Sequence, residues 1–388
     1  MPLAKIILRN ALRHPLRSFL TALGVAVALF AFCMIRTLIG AWYAGVDASA
    51  KNRLIVRNSV SLTFYLPLAY VDAISKVPGV ERVGYANWFG GIYKDERYRF
   101  QQFATDANYI NIYADFMFQP DEKQEWLNDR KGILVGRDLA TNLNFKIGDV
   151  IQLTGTIFPG LWEFTVRGIF DVKDKSKDTR VMFFHWEYLN ELNKATVQRQ
   201  PDYVGFYVVQ LASGVNPSVV SKSIDAQFAN SFAETLTETE TAFIQGFVSM
   251  SSTIIETLNI VCVVVLVIML LVLANTMLMS FRERYHEFSI LKSLGFETAN
   301  MSALIFGESL LLVGCGLVLL FVFLSPFMIL PTRVILGELV NFFPIFRITA
   351  STLILAFVVS ICTAVLASVL PLFSLSKLRI SEALRRIV

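Results

Sequence analysis

Charge is what this sequence has least of. Of its 388 residues only 17% are Asp, Glu, Lys or Arg and 54% are hydrophobic, whereas about a quarter of an ordinary soluble chain is charged. Histidine is scarcer still: the three, His14, His185 and His286, are far apart in sequence. All four cysteines, Cys33, Cys262, Cys315 and Cys362, fall inside strongly apolar stretches, so the polar part of the chain has none. Disulfides therefore do not hold that part together, and no Cys and His cluster for a metal can be drawn. The patterns G-x-x-x-x-G-K-[ST], G-x-S-x-G and H-E-x-x-H are missing too. Their absence excludes ATP binding through a P-loop and argues against serine-hydrolase and zinc-protease chemistry. The apolar stretches contain neither Asp nor His, as an intramembrane protease of the aspartyl or zinc type would need. The sequence does not read as an enzyme.

What is present is four apolar segments arranged as one plus three: Ser18 to Ile39, then Ile254 to Met279, Met301 to Leu324 and Ala350 to Leu372. A hydrocarbon core roughly 30 Å thick needs about 20 residues of helix at 1.5 Å each, and every segment is long enough. A basic start before an apolar run also fits a secretory signal peptide. Here, however, Phe19 to Ile35 runs 17 residues without a charge, longer than the usual ~7–15, and no clean A-x-A site follows. The reading is an α-helical membrane protein with four transmembrane helices and an extracytoplasmic domain inserted between the first and second.

The charge is unevenly divided. From Tyr43 to Thr253 there are 21 Lys or Arg against 24 Asp or Glu, while the rest of the chain carries 14 against 7. Lys5, Arg9, Arg13 and Arg17 precede the first segment; Arg282, Arg284 and Lys292 lie between the second and third; Lys377, Arg379, Arg385 and Arg386 follow the fourth. The loop between the third and fourth has only Arg333 and Arg347. Lys and Arg in short flanking loops mark the cytoplasmic side, so both termini are expected inside an inner membrane and the large domain outside. Mild negative charge on that domain argues against nucleic acid as a partner.

These signals give expected boundaries: an amphipathic elbow helix over 1–17, the first span over 18–42 and an outer domain over 43–253. The second span follows at 254–280, a cytoplasmic loop with a short helix at 281–299, and the third span at 300–324. A short outer loop at 325–349, the fourth span at 350–373 and a cytoplasmic tail at 374–388 complete the chain. In the elbow, Leu3, Ile6, Ile7, Leu12 and Leu16 alternate with basic residues, and Pro15 is expected to bend the chain before the span. Within the outer domain, strand-like runs occur at Arg53 to Arg57, Val80 to Tyr85, Gly132 to Val135, Val150 to Leu153, Phe164 to Phe170, Val181 to Phe184 and Tyr203 to Leu211. Helix-like ones occur at Pro67 to Lys76 and Pro217 to Ala229. Strands in the majority with a few helices predict an α+β domain.

The loop after the second span reads Phe281-Arg-Glu-Arg-Tyr-His-Glu-Phe-Ser-Ile-Leu-Lys-Ser-Leu-Gly-Phe296. Glu283, Arg284 and Glu287 fall about one turn apart, Phe288, Ile290, Leu291 and Leu294 form an apolar group flanked by Glu287 and Lys292, and Gly295 suits a helix C-terminus. A short amphipathic helix under the membrane is built to dock into another protein; the plainer alternative is a solvated loop whose charges fix topology.

On these residues the chain resembles a known family. Glu283-Arg284, Glu287 and Ile290-Leu291-Lys292-Ser293-Leu294-Gly295 are similar to the E-R-x-x-E-I-G-x-x-[KR]-[AS]-[LM]-G signature of FtsX-like and MacB-like permeases of ABC transporters, with Phe288 and Ser289 standing where the family usually has Ile and Gly. The stretches Gly132 to Ala140, Phe145 to Leu153 and Phe164 to Phe170 resemble motifs of the family's outer domain, in the family's order. The resemblance implies a separate ABC ATPase subunit that binds ATP and Mg, with no cofactor in this chain. It implies docking of that subunit through Glu283, Arg284, Glu287, Ile290, Leu291, Lys292, Leu294 and Gly295, and a second permease copy or paralogue forming a dimer. Because the chain starts directly at the basic elbow, the ATPase is expected on a separate chain rather than fused. The implied function is export or extraction of a hydrophobic or lipid-like cargo, with a periplasmic adaptor and an outer-membrane factor as further partners. An FtsX-type role, switching a cell-wall hydrolase without transport, is the alternative; the roughly 210 residues between the first two spans favour transport.

Other residues are weighed on chemistry alone. Glu308, an acid in the third span, lies near its cytoplasmic end, where snorkelling or a bond to Asn275 or Thr276 would satisfy it, and a structural role is expected. Arg36 near the outer end of the first span reads as a snorkelling residue. Gly307, Gly314 and Gly316 would let another helix approach closely, within the chain or across a dimer. Trp88-Phe89 and Phe158 to Phe164 are either core aromatics at strand ends or an apolar docking surface.

Overall fold

The computed structural model describes residues 2–11, 13–47, 49–50, 52–96, 98, 100–173, 179–194, 201–329 and 346–376. Most of the expected outer loop at 325–349, with Arg333, and all but the first three residues of the expected tail, with its basic cluster, lie outside the described residues. The chain divides into two units, one made of Met1–Ala41, Ser251–Gly337 and Phe346–Val388, the other of Trp42–Met250 and Glu338–Ile345.

The membrane unit holds four helices long and apolar enough to cross a bilayer: α2 (Pro15–Asp47), α10 (Ser252–Glu283), α12 (Thr298–Ile329) and α13 (Ala350–Ser376). Before them runs α1 (Pro2–Ala11). Pro15 does not bend one elbow helix. It opens α2, where a fixed φ and a missing N–H cost nothing in the first turn, and Leu16 belongs to α2 rather than to the elbow. Two apolar clusters tie the helices together. Val25, Leu29, Phe32 and Cys33 of α2 meet Cys262 and Met269 of α10, Leu320 and Leu324 of α12 and Ala356 of α13. Leu273, Met277 and Phe281 of α10 meet Met301, Ile305 and Leu312 of α12 and Ala364 and Ala367 of α13. Small residues at the α12–α13 contact allow a direct hydrogen bond between the Ser309 and Ser368 hydroxyls at 2.8 Å. Arg36 reaches the Asn259 side chain of α10 at 3.5 Å, the outer limit of a hydrogen bond.

The other unit is α+β. Its strands are β1 (Arg53–Asn58), β2 (Leu66–Pro67), β3 (Val80–Trp88), β4 (Gly91–Ile92), β5 (Gln101–Thr105), β6 (Phe116–Met117), β7 (Gly132–Gly136), β8 (Val150–Gly155), β9 (Gly160–Val172), β10 (Val181–His185), β11 (Tyr203–Val204), β12 (Phe206–Leu211) and β13 (Thr235–Thr239). The helices are α3 (Tyr70–Ser75), α4 (Ala107–Ile112), α5 (Pro120–Asn128), α6 (Arg137–Leu143), α7 (Trp186–Lys194), α8 (Pro217–Gln227) and α9 (Glu240–Met250). One mixed sheet runs in the order β13-β1-β12-β3-β5-β10-β7-β9-β8-β4, with β6 on the far end of β9. Its pairs are antiparallel except β5 with β10 and β7 with β9.

Both faces of this sheet are covered, which is why its central strands read as unbroken apolar runs rather than as an alternation. Leu54, Val56, Ile133, Val135, Met182, Phe184, Tyr207 and Val209 point to one core with Ile74, Val220 and Ile224 from α3 and α8. Their chain neighbours Ile55, Leu134, Phe183 and Val208 point to the other, with Tyr109, Ile110 and Trp126 from α4 and α5. The run from Tyr203 to Leu211 is not one strand: β11 leaves the main sheet to pair with β2, and β12 joins β1 and β3. The aromatic runs are likewise divided. Phe89, Phe158, Trp162 and Phe164 are core residues, whereas Trp88 and Leu161 are 60% and 70% exposed.

Two helices of this unit show how the sequence sets its own boundaries. Asn216 caps α8 by accepting from the Ser218 N–H at 3.0 Å, with Pro217 in the first position. Asp106 caps α4, its Oδ1 accepting from the N–H of Tyr85 and of Tyr109, at 2.9 and 3.0 Å, and its Oδ2 from that of Asn108, at 3.2 Å.

Candidate functional site

The loop between the second and third spans is a joint followed by a short helix. Helix α10 ends at Glu283 because Arg284 leaves helical geometry, at φ −105° and ψ 10°, and α11 (Tyr285–Ser293) begins on its far side. The end of α11 is a Schellman turn: the Phe296 N–H donates to the Leu291 carbonyl at 3.1 Å and the Gly295 N–H to the Lys292 carbonyl at 3.2 Å. Gly295 sits at φ 88°, a conformation that side chains disfavour. Glu283 therefore belongs to the long helix and Arg284 to the joint, not to one short amphipathic helix with Glu287.

The expected single apolar face of α11 is split in two. Phe288 and Ser289 are buried, Phe288 stacking on Phe281 at 5.6 Å. Ile290, Leu294 and Phe296 point outward at 42%, 72% and 49% exposure, and Leu291 and Lys292 are half-buried between the two sets.

Glu283, Arg284 and Glu287 pair with three other parts of the membrane unit, whereas Arg282, His286 and Glu297 are exposed. Glu283 receives both Nη groups of Arg17 at the start of α2, at 2.6 and 2.9 Å, and lies 3.5 Å from His14 Nε2. Glu287 pairs with Arg13 in the link between α1 and α2, and with Arg284 at 3.2 Å. Arg284 turns into the bundle, where its Nη1 donates to Glu308 of α12 at 3.0 Å beside the Phe288 ring, 4.9 Å from the guanidinium carbon. Glu308 is completed by the Ser280 hydroxyl at 2.7 Å. Asn275 and Thr276, the neighbours that the sequence suggested for Glu308, are not among these partners; Thr276 bonds Thr21 instead, at 3.1 Å.

The Arg284 and Glu308 side chains are each only 9% exposed. Desolvating two charges is costly, and a buried pair holds only when further hydrogen bonds satisfy the remaining donors and acceptors; Ser280 and Glu287 supply them here. Partial burial opposes ionisation of Glu287, but hydrogen bonds from Arg13 and Arg284 outweigh it and hold its carboxyl below the usual range. The network ties α2 to α10 through Arg17 and Glu283, α11 to the link before α2 through Glu287 and Arg13, and the joint between α10 and α11 to α12 through Arg284 and Glu308. Sequence reading had Glu283, Arg284, Glu287 and Glu308 but missed that Arg13, Arg17 and Ser280 complete the set. The run of basic residues before the first span was visible, yet nothing in it named acids about 270 positions away.

The three glycines proposed for helix packing separate by position. A methyl group on Gly307 would come within 2.4 Å of Ile7 of α1, and one on Gly316 within 2.6 Å of Val25 of α2, so both mark close helix contacts within the chain. Gly314 meets nothing within 4 Å and takes part in no such contact among the described residues.

The sequence matches the MacB-like periplasmic core domain family over residues 18–227 and the FtsX-like permease C-terminal family over residues 259–380. The chain belongs to the FtsX/MacB-like family of ABC transporter permeases. The permease is 27% identical over 326 residues to an uncharacterised ABC transporter permease of Methanocaldococcus jannaschii, which spans 78% of this chain and 77% of that one. Among solved structures it is similar to the periplasmic region of MacB from Actinobacillus actinomycetemcomitans, at 9% identity and a TM-score of 0.38, covering 52% of this chain and 95% of that one. It is also similar to the extracellular domain of the ABC-type transporter YknZ from Gram-positive bacteria, at 12% identity and a TM-score of 0.35, covering 48% and 100%. Neither matched family is a catalytic one, and membership implies an ATPase partner and a dimeric assembly.

Proposed function

We propose that this permease couples ATP hydrolysis on a separate subunit to motion of its outer domain, and that the coupling passes through α11. The observation that carries this reading is the outward set Ile290, Leu294 and Phe296, an apolar surface on a helix whose Glu287 pairs with Arg13 and whose leading joint, Arg284, is anchored in the bundle on Glu308. A helix so held passes a push to the bundle instead of yielding to it. The ATPase supplies ATP and Mg binding and hydrolysis; this chain's residues receive the stroke. Glu283, Arg284 and Glu287 then act as the rear anchor, and Ile290, Leu291, Lys292, Leu294 and Gly295 form the contact surface and its end.

In this reading both termini and α11 face the cytoplasm and the outer domain faces away from it, as the basic flanks direct. Cargo is hydrophobic or lipid-like. Its support is the exposed apolar side chains of the outer domain, among them Val60, Phe64 and Phe232 at 78%, 56% and 91% exposure. An adaptor and an outer-membrane factor would carry such cargo onward.

The test is co-purification of the full chain with an ABC ATPase subunit from the same organism, and ATP hydrolysis by the complex in nanodiscs. Ile290→Asp and Leu294→Asp are expected to abolish both association and stimulated hydrolysis with the fold unchanged. Retention of both by both variants would overturn the assignment of α11.

A further inference from the structure

Between the first turns of α2 and the face of α10 lies an open cavity of about 310 Å³, lined by Leu16, Arg17, Leu20, Thr21 and Val272. That volume is at the lower end of small-molecule sites, roughly 300–1,000 Å³. Its walls are apolar and turned outward: Leu16, Leu20 and Val272 are 71%, 55% and 42% exposed, on helices that cross the bilayer. At the back Thr21 and Thr276 bond each other, so the hydroxyls there are already satisfied and leave the cavity an apolar slot. Arg17 lines the mouth and is shared with Glu283; Arg13 and His14 before it face Glu287 and Glu283, and the elbow adds Lys5 and Arg9 with no acid among residues 1–17.

Arg17 is the decisive side chain. It gives one hydrogen bond from each Nη to Glu283, whereas a guanidinium has five N–H donors in a planar fork. The donors not used on Glu283 can meet a second anion. An arginine that binds a carboxylate on one edge and a phosphate on another gains charge-assisted hydrogen bonds on both. An apolar slot open to the bilayer, with an arginine at its mouth and a basic elbow before it, matches an acyl chain carrying an anionic phosphate headgroup.

We propose that this cavity is a site for one anionic glycerophospholipid, its acyl chain along Leu16, Leu20 and Val272 and its phosphate on Arg17. The bound lipid extends the Arg17–Glu283 pair into a three-part bridge from lipid to α2 to α10. The site goes beyond the coupling role and stands without it, because lipid binding is measured with no ATPase present.

The full chain is equilibrated with nanodiscs of phosphatidylcholine and phosphatidylglycerol at 4:1, extracted into mild detergent and weighed by native mass spectrometry. One phosphatidylglycerol per chain is expected to survive, preferred over phosphatidylcholine by at least about tenfold, the scale of one charge-assisted hydrogen bond. Leu20→Trp fills the slot from α2, and Val272→Phe fills it from α10. Each is expected to lower the retained phosphatidylglycerol by about tenfold, the yield of roughly two buried methylenes, with circular dichroism unchanged. Should one variant misfold, the other reads the same cavity, and the headgroup preference of the unaltered chain needs no variant. Equal retention of both lipids would overturn the proposal, as would undiminished phosphatidylglycerol in the filled variants. So would disulfide-linked dimers of Leu20→Cys that exclude the lipid, which would assign the cavity to a second copy of the chain. A chain that binds the lipid yet fails to stimulate ATP hydrolysis would sink the coupling role alone.

Discussion

Each unit of this permease buries one arginine–glutamate pair under an aromatic ring, and the two pairs differ in where their remaining bonds lead. In the outer unit, Arg53 at the start of β1 meets Glu240 at the start of α9 at 2.7 Å, with side chains 7% and 9% exposed. The guanidinium lies 4.3 Å from the Tyr113 ring centre, and Glu240 also accepts from the Tyr113 hydroxyl and the Ala50 N–H, at 3.1 and 2.9 Å. Every one of these bonds closes within the unit, joining the segment that enters it to the segment that leaves it. In the membrane unit, Arg284 and Glu308 form the same kind of pair, but the chain of bonds continues outward through Glu287 to the exposed Arg13. A closed network locks a fold; an open-ended one ties a surface helix to the interior. The same chemistry serves as a clasp in one unit and as a joint in the other.

Breaking the clasp gives the largest expected effect. Arg53→Met leaves Glu240 buried without its cation, and losing one partner of a buried pair costs roughly 3–5 kcal/mol. Four of the five tryptophans, Trp88, Trp126, Trp162 and Trp186, lie in the body of the outer unit, and Trp42 is near the end of α2. Thermal unfolding of the full chain followed by tryptophan emission therefore reads this loss directly. Arg53→Met with Glu240→Leu is expected to recover most of it, since no uncompensated charge remains.

The joint should break more gently. Arg284→Met is expected to cost about 3 kcal/mol, the lower end of the same range, because this network opens to solvent at Glu287 and Arg13, where water can replace lost bonds. Of the four long apolar helices only α2 carries a tryptophan, Trp42 near its end, so alkylation of the buried Cys33 and Cys262 is the measurement. An Arg284→Met loss equal to or above that of Arg53→Met would remove the distinction between clasp and joint.

A third test asks what a buried carboxylate does without a cation. Burial pushes the Asp106 carboxyl up to about 6, against the pull of three backbone N–H donors. The folded value lies above the ordinary one of 3.8, so the folded state binds the proton more tightly. Stability is then greatest below about pH 4 and falls as pH rises through about 6, by up to about 3 kcal/mol in all. Asn is as good a helix cap as Asp, so Asp106→Asn should flatten the pH dependence of tryptophan-monitored unfolding between pH 4 and 7. An unchanged slope would mean that Asp106 does not titrate there.

The smallest effect on stability belongs to the open face of α11. Leu294→Asp, at 72% exposure, is expected to change unfolding by no more than about 0.5 kcal/mol while ending ATPase association. A large destabilisation would show that this side chain is packed, not presented.

Local patterns carried the sequence reading where a feature needs only its neighbours in the chain. The four spans, the glycine that ends α11 and the Asn216-Pro217 start of α8 are of this kind, since helix length, left-handed φ and capping are set within a few residues. Where a feature depends on what packs against it, the reading went astray. Thr235–Thr239, absent from the strand-like runs of the sequence, is strand β13: the Thr235 and Thr237 hydroxyls donate to Asp225, at 2.9 and 2.6 Å, in place of the apolar contacts that mark a strand. Phe288 and Leu294 looked equivalent in the coupling loop, yet one is buried and the other exposed, because the break at Arg284 turns α11 relative to α10 and a helix face is defined only once its neighbour is placed.

By itself, the sequence determined which segments can leave water, which loop carries the family's signature and which side of the chain is basic, because hydrophobic length, short motifs and charge are properties of adjacent residues. The tertiary structure decided the partners. Glu308 found Arg284 and Ser280, Glu283 found Arg17, and Glu240 found Arg53 across 187 positions. A buried charge is satisfied by whatever the packing of helices and strands brings within about 3 Å, and no periodicity along the chain encodes that distance.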